Sequence, residues 1–284
     1  MSLPSLNLDA FAEVARQKSF SQAAARLNLT QSALSQRVLN LEAELGSSLF
    51  IRESTGIRLT DLGQRLLRYC HSKTLLETEF LESLKAGVGL SGIVRVAGFS
   101  TINRSVVMPL FAALLKDNPR VSLELRTKEL RDLPPMLFSG AADMILVNQP
   151  VEKQGIENAR LGFEEYVLVQ STAKSARHDV YLDHDEEDST TVDFLRGQSK
   201  KIPVLKRIYL GDIYGIIEGV RLGMGRAVVP VHLIQDLKGI EIVKGISTMK
   251  VPVHLAYYTQ SFYTDLQKTS IELLEKGVPR ILDT

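Results

Sequence analysis

The stretch that most restricts what this chain can become is residues 19–46, SFSQAAARLNLTQSALSQRVLNLEAELG. It predicts two short helices joined by a tight turn. Ser19 and Gln22 stand three apart ahead of an alanine run, the spacing of a capping box, in which a hydroxyl accepts an otherwise orphaned backbone N–H. Ala23, Ala24 and Leu27 give one small apolar face, Asn28-Leu29 interrupts it, and Thr30 is placed to cap the next helix. In that helix Leu34, Val38, Leu41 and Leu45 repeat at 4-3-4 spacing and form a narrow stripe for burial. Ser32, Gln36 and Leu39 fall on the opposite side, with Ser35 beside them. A helix face with little charge and short hydrogen-bonding side chains suits a major groove, where Ser and Gln meet base edges and Arg37 reaches a phosphate or a guanine. The same residues also fit a helical hairpin with a polar solvent face.

The neighbouring segments complete a small domain. Residues 6–15 predict a first helix with Leu8, Phe11, Ala12 and Ala15 on one face, and three helices enclose a core that two cannot. After Gly46, LFIRESTGIRLT has two β-prone pieces around Ser54-Thr55-Gly56. Read as a hairpin, it is a wing that carries Arg52 and Arg58, placed either in solvent or in a minor groove, where the negative potential is strong. Residues 61–86 predict a long helix. Leu62, Leu66, Tyr69, Leu76, Phe80 and Leu84 follow an alternation of fours and threes, interrupted at Lys73. Such a seam needs a partner, either the same helix of a second subunit or the body of the protein. Cys70 and His71 on this helix read as structural or incidental.

The 284 residues suffice for a small domain plus a larger one, and 44% hydrophobic content supports real cores. No apolar run approaches the roughly 20 residues needed to span a bilayer. The opening MSLPSLNLDAF lacks the pattern of a secretory signal. Cys70 is the single cysteine, which excludes an internal disulfide and fits a reducing compartment, the cytoplasm. Net charge is only +1, and residues 1–60 hold six Lys/Arg against five Asp/Glu. Charge alone therefore does not mark a nucleic-acid binder.

Beyond Gly87, Gly89 and Gly92 the chain alternates strand and helix patterns. Strands are predicted at 93–99, 121–127, 142–148, 165–171, 204–211, 226–230 and 251–258, with helices at 106–116, 132–140, 190–196, 212–222 and 264–276. This rhythm predicts parallel sheets with right-handed crossovers. Two lobes of similar size imply a cleft, with ligands at the carboxyl ends of strands.

The front of the chain closely resembles the LysR-type transcriptional regulators. The resemblance is carried by Ser19-Phe20-Ser21-Gln22-Ala23-Ala24, residues Thr30 to Val38, Leu41-Glu42, Leu45-Gly46, Leu49-Phe50, Arg52, and Arg58-Leu59-Thr60 followed by Gly63. Leu39 departs from it, since a basic or polar side chain is more usual there. The back resembles the family's effector domain, itself similar to two-lobed periplasmic solute-binding proteins, through Ser100-Thr101, Pro109, Gly140 to Asp143 and Gly223-Met224-Gly225 running into Val228-Val229-Pro230. The resemblance implies an α/β chain: a winged helix-turn-helix over 1–60, a linker and dimerisation helix over 61–89 and a two-lobed effector domain over 90–284. It implies DNA contacts from Gln31, Ser32, Ser35, Gln36, Arg37, Arg52 and Arg58, and effector contacts from Ser100, Thr101, Thr127, Asn148 and Asp212. Helix capping competes as the role of Ser100, Thr101 and, above all, Asp212. The implied partners are an inverted-repeat DNA site, a polar or anionic small-molecule effector, and further copies of the chain in a dimer or tetramer.

Other chemistry finds little support. The run His184-Asp185-Glu186-Glu187-Asp188 is contiguous and reads as solvated charge, not a metal site. The five histidines lack ligand spacing, Gly223-Met224-Gly225 follows a helix, and no Ser-His-Asp order or Walker sequence is present. We expect no cofactor and no enzyme activity. A solute-binding protein explains residues 90–284 equally well but gives residues 1–86 no purpose, and an enzyme built on the same lobes lacks a catalytic cluster.

Overall fold

The computed structural model describes residues 3–53, 56–84, 89–198 and 206–282. They divide into two compact units, one of residues up to Gly92 with Pro134–Asp143, the other of Ile93–Leu133 and the chain from Met144 on.

In the first unit α1 (Ser5–Gln17) packs against α2 (Phe20–Arg26) and α3 (Gln31–Leu45). Ser19 caps α2 by accepting from the Gln22 N–H, and Thr30 caps α3 by accepting from the Ala33 N–H at 3.2 Å. Gly46 closes α3 at φ 63°, a left-handed position that glycine adopts without strain. One core layer joins Ala10, Val14, Ala23, Ala24, Leu34 and Val38, where the alanines allow close approach of the helices. Strands β1 (Phe50–Glu53) and β2 (Gly56–Leu59) form the antiparallel wing, with Ile51 opposite Arg58. The Phe50 ring, 5.3 Å from Phe11 and 5.7 Å from Phe20, fixes the wing to the helices.

Helix α4 (Asp61–Leu84) begins inside this head. Thr60 Oγ1 accepts from the Gly63 N–H at 3.0 Å and donates to the Ser48 carbonyl at 2.9 Å. A Cβ at Gly63 would collide with the Leu49 carbonyl, so glycine is what lets the helix seat there. Leu66 and Cys70 then complete the second core layer with Leu8, Phe11, Leu41 and Leu49, and Leu62 packs on it. This corrects the expected seam. The first turns of α4 close the head's own core, so Leu62 and Leu66 are covered by their own chain. Tyr69, Leu76 and Phe80 are exposed, as is Leu81; the side chain of Leu84 lies outside the described residues. His71 is structural: its Nε2 lies 2.6 Å from the buried Asp143 carboxylate.

The second unit is a mixed α/β fold. Strands β3 (Gly92–Gly98), β4 (Val121–Thr127) and β5 (Met144–Val147) belong to its first half, with α5 (Ser100–Ile102), a π turn at Asn103–Val107 and α6 (Met108–Asp117), while all of the short α7 (Leu133–Phe138) but its first residue belongs to the first unit. Strand β6 (Ile156–Ser171) crosses to the second half, which holds β7 (Val180–Asp183), α8 (Thr190–Gly197), β8 (Lys206–Tyr209), α9 (Ile213–Arg221), β9 (Ala227–Pro230) and β10 (Ile240–Ile242). Strand β11 (Met249–Tyr258) returns, and α10 (Asp265–Leu282) packs against β6 and α6. Val167, Val169, Leu182, Ile216, Val220 and Val229 form the core of the second half.

The sheet departs from the expected parallel pattern. Its order is β10-β6-β11-β5-β3-β4, with β9 also on β6. Strands β3 and β5 are parallel, as are β7 and β8, but β6 and β11 run antiparallel to each other. These two long strands join the halves into one sheet. The front of β6, IENARLGFE, hides in the sequence because charges interrupt its alternation and Gly162, at φ 149°, sits where the register to β11 shifts. Among the described residues no helix is long and apolar enough to cross a membrane.

Candidate functional sites

The first site is the outer face of α3. Gln31, Ser32 and Gln36 are exposed on it, and Ser35 and Arg37 are half-buried. The stripe of Leu34, Val38 and Leu41 is fully packed below, so the polar face is held on a rigid support. Gln36 Nε2 donates to Asn40 Oδ1 at 2.9 Å, which orients both amides along the helix. Asn40 was not picked out from sequence, although its spacing of four from Gln36 was the available signal. Leu39 is 55% exposed between them, an apolar surface suited to a thymine methyl. Arg58 is exposed on the wing. Arg52 lies opposite Ile57 in the hairpin, and its side chain is outside the described residues.

The second site is a cavity of about 120 Å³ in the second unit. The first half contributes Phe99 and Ser100 beyond β3, and Lys128 and Glu129 beyond β4. The second half contributes Leu182 and Asp183 from β7, the loop residues His184 and Asp188, Thr190 at the start of α8, Ile213 and Ile216 from α9, and Val228 from β9. Tyr166 on β6 completes the lining. The cavity thus lies at the carboxyl ends of β3, β4 and β7, where helices begin.

Of the residues expected to face an effector, only Ser100 lines this cavity. Thr101 is buried at 6% exposure, with no hydrogen-bond partner for its hydroxyl. Thr127 Oγ1 lies 3.0 Å from Asn103 Nδ2, which also reaches the carbonyls of Gly98 and Arg126 and so ties the π turn to β3 and β4. Asn148 is half-buried just past β5 and outside the lining. Asp212 caps α9, its Oδ1 accepting from the N–H groups of Tyr214 and Gly215 at 2.8 and 3.0 Å. Asp212 is engaged in this way because a short polar residue at a strand–helix junction meets backbone N–H groups before it meets a ligand.

The acidic run is more than solvated charge. Asp185 accepts from the N–H groups of Glu187 and Asp188, while Asp188 accepts from those of His184 and Thr190. The resulting turn brings His184 and Asp188 to the cavity. Burial opposes charge on His184, but the hydrogen bond to Asp185, with Glu129 and Asp188 nearby, outweighs it and raises the ring's pKa above its ordinary value. Asp183 is buried and already neutralised by Arg207 and Thr191, both at 2.5 Å.

A buried chain leads away from the cavity. Tyr166 donates its hydroxyl to Glu164 Oε2 at 3.1 Å, Glu164 Oε1 lies 2.8 Å from His232 Nε2, and His232 Nδ1 lies 2.9 Å from Ser105 Oγ. Burial and the adjacent Glu164 push the Tyr166 phenol well above its usual pKa, so it remains a donor. Ser105 also donates its hydroxyl to the Thr101 carbonyl. The sequence has no serine–histidine–aspartate order, yet the fold brings Ser105, His232 and Glu164 together from far apart in the chain. It is not arranged as a hydrolase triad, because the serine proton is committed to a helix carbonyl. The chain instead joins the π turn of the first half to the second half. Arg104, stacked 3.9 Å from the Tyr214 ring, and Arg131, paired with Glu187 at 3.1 Å, make two further links.

Two family models match the chain. Residues 6–64 match the profile described as "Bacterial regulatory helix-turn-helix protein, lysR family", and residues 87–278 match "LysR substrate binding domain". The chain is 34% identical to the HTH-type transcriptional regulator ShiR of Corynebacterium glutamicum over 57% of its own length and 56% of that protein's. It is 28% identical to the regulator YofA of Bacillus subtilis, covering 79% of this chain and 80% of YofA. In fold it is similar to ArgP from Mycobacterium tuberculosis, at 22% identity, 98% coverage of each chain and a TM-score of 0.77. A full-length LysG from Corynebacterium glutamicum with bound effector Arg gives the same score and coverage at 18% identity.

Proposed function

The chain belongs to the lysR family of bacterial regulatory helix-turn-helix proteins, and on that premise we propose that α3 reads an inverted-repeat DNA site while a small molecule in the cavity sets the outcome. The protein is a DNA-binding transcription regulator with an effector domain. The observation that carries the reading is the face of α3, where uncharged Gln31, Ser32 and Gln36 stand exposed over a fully buried stripe. Gln36 and Asn40 present the amide chemistry that pairs with adenine edges, and Arg37 and Arg58 serve phosphates. The half-buried Ser35 sits at the edge of this face, and Arg52 belongs with Arg58 on the wing.

The exposed apolar side chains of α4, Tyr69, Leu76 and Phe80, pair with a second copy, and effector domains join such dimers into a tetramer. The division is a head over residues 1–60, a linker over 61–89 that contains α4 (Asp61–Leu84) and an effector domain over 90–284, working in the cytoplasm without catalysis. A ligand in the cavity touches both halves of the effector domain, so it favours one arrangement of them. It thereby biases the spacing of the DNA heads. A mobility-shift titration on DNA upstream of the protein's own gene tests this. Binding is expected at a site with two-fold symmetry, and its loss in Gln36→Ala identifies α3 as the reader.

A further inference from the structure

The cavity that binds the effector in the reading above also carries a charge pattern that narrows the ligand. Its volume of about 120 Å³ is below the roughly 150 Å³ of a cavity that accepts benzene, so the ligand is compact. Leu182, Ile213, Ile216 and Val228 give it an apolar wall. Asp183 asks nothing of a ligand, since Arg207 neutralises it, and His184 is engaged with Asp185. That leaves Lys128 as the cation of the lining, with Glu129 and Asp188 as its anions. Lys128 is anchored beside Ser100, its N–H donating to the Gly98 carbonyl at 3.1 Å. Asp188 stands on the other half of the domain, and its carboxylate, holding the N–H groups of His184 and Thr190, keeps about two of some four acceptor sites for a ligand. A purely anionic ligand would meet two carboxylates, and a purely cationic one would meet Lys128.

We propose that the effector is a compact zwitterion, a small α-amino acid with an apolar side chain, its carboxylate at Ser100 and Lys128 and its ammonium at Glu129 and Asp188. The carboxylate then rests on the first half, and the ammonium, shared between Glu129 of that half and Asp188 of the other, bridges the two. This is the polar member of the expected effector class.

Calorimetry on the full-length protein tests this with matched probes: alanine, valine and leucine, the carboxylic acids lacking their amino group, and the amines lacking their carboxylate. At least one amino acid is expected to bind saturably, with its acid and amine weaker by about tenfold or more, the value of a hydrogen bond to a charged group. Lys128→Gln and Glu129→Gln should each cause a similar loss while leaving the melting temperature and DNA binding unchanged. Binding of none of the amino acids, or equal binding of the acid and the amino acid, overturns the zwitterion. An acid that binds in a Lys128-dependent manner does so while keeping the cavity as the effector site. Amino-acid binding that neither substitution alters overturns the cavity reading itself.

Discussion

Gln36 is held by Asn40 through one amide hydrogen, which leaves its carbonyl and the Asn40 amide free to meet a base. Gln36→Ala should therefore cost about 1–3 kcal/mol at one or two base pairs and relax the preference there. Arg58→Ala should weaken all sequences alike and reduce the salt slope by about one. Anisotropy titrations at several salt concentrations on cognate and single-substituted sites separate the two. Cys70 offers a second residue-scale test. Burial in the head core pushes its thiol up to about 11, and the thiolate is the reactive form. Near pH 8 it should resist alkylation in the native protein and label once the head unfolds; rapid native labelling would mean that α4 does not close that core. His232 carries a third. Removing it takes the imidazole from the fully buried Glu164, which keeps the Tyr166 hydroxyl, so His232→Ala should destabilise the effector domain by about 1–3 kcal/mol in denaturant unfolding.

At the scale of elements, α4 serves two packing duties that periodicity cannot distinguish. Leu66 and Leu76 share one stripe in the sequence, yet Leu66 is 6% exposed in the head core and Leu76 is 43% exposed. Leu66→Asp should unfold the head, because it buries a carboxylate without a partner. Leu76→Asp should keep the native circular dichroism and lower the sedimenting mass. If both variants kept their oligomer, α4 would not be the pairing surface. The helix-turn-helix was legible because every signal in it is local: two caps, a 4-3-4 stripe, a terminal glycine. Strands β3, β4, β5 and β9 were legible as short apolar runs. The back of β6 and strand β8 were anticipated too, within 165–171 and 204–211, but the front of β6 and strand β7 were not, since their partners are distant and charge interrupts their apolar pattern. The cavity was the least legible part, because its lining comes from the ends of several elements. Ser100 alone was anticipated; Lys128, Glu129, Tyr166 and Asp188 acquire their role only when the two halves face one another.

The whole molecule combines a reading head, a helix with exposed apolar side chains and a cavity touched by both halves of one domain. One head alone covers one half-site, so pairing is what makes an inverted repeat bind more strongly than either half. The most direct measurement is a footprint of the full-length protein on DNA upstream of its own gene, beside Gln36→Ala and with and without the amino acids used in calorimetry. Protection of two symmetric half-sites about one helical turn apart, absent for Gln36→Ala and altered in extent when an amino acid is added, is the predicted result. An unchanged footprint for Gln36→Ala, or protection without two-fold symmetry, would contradict the account.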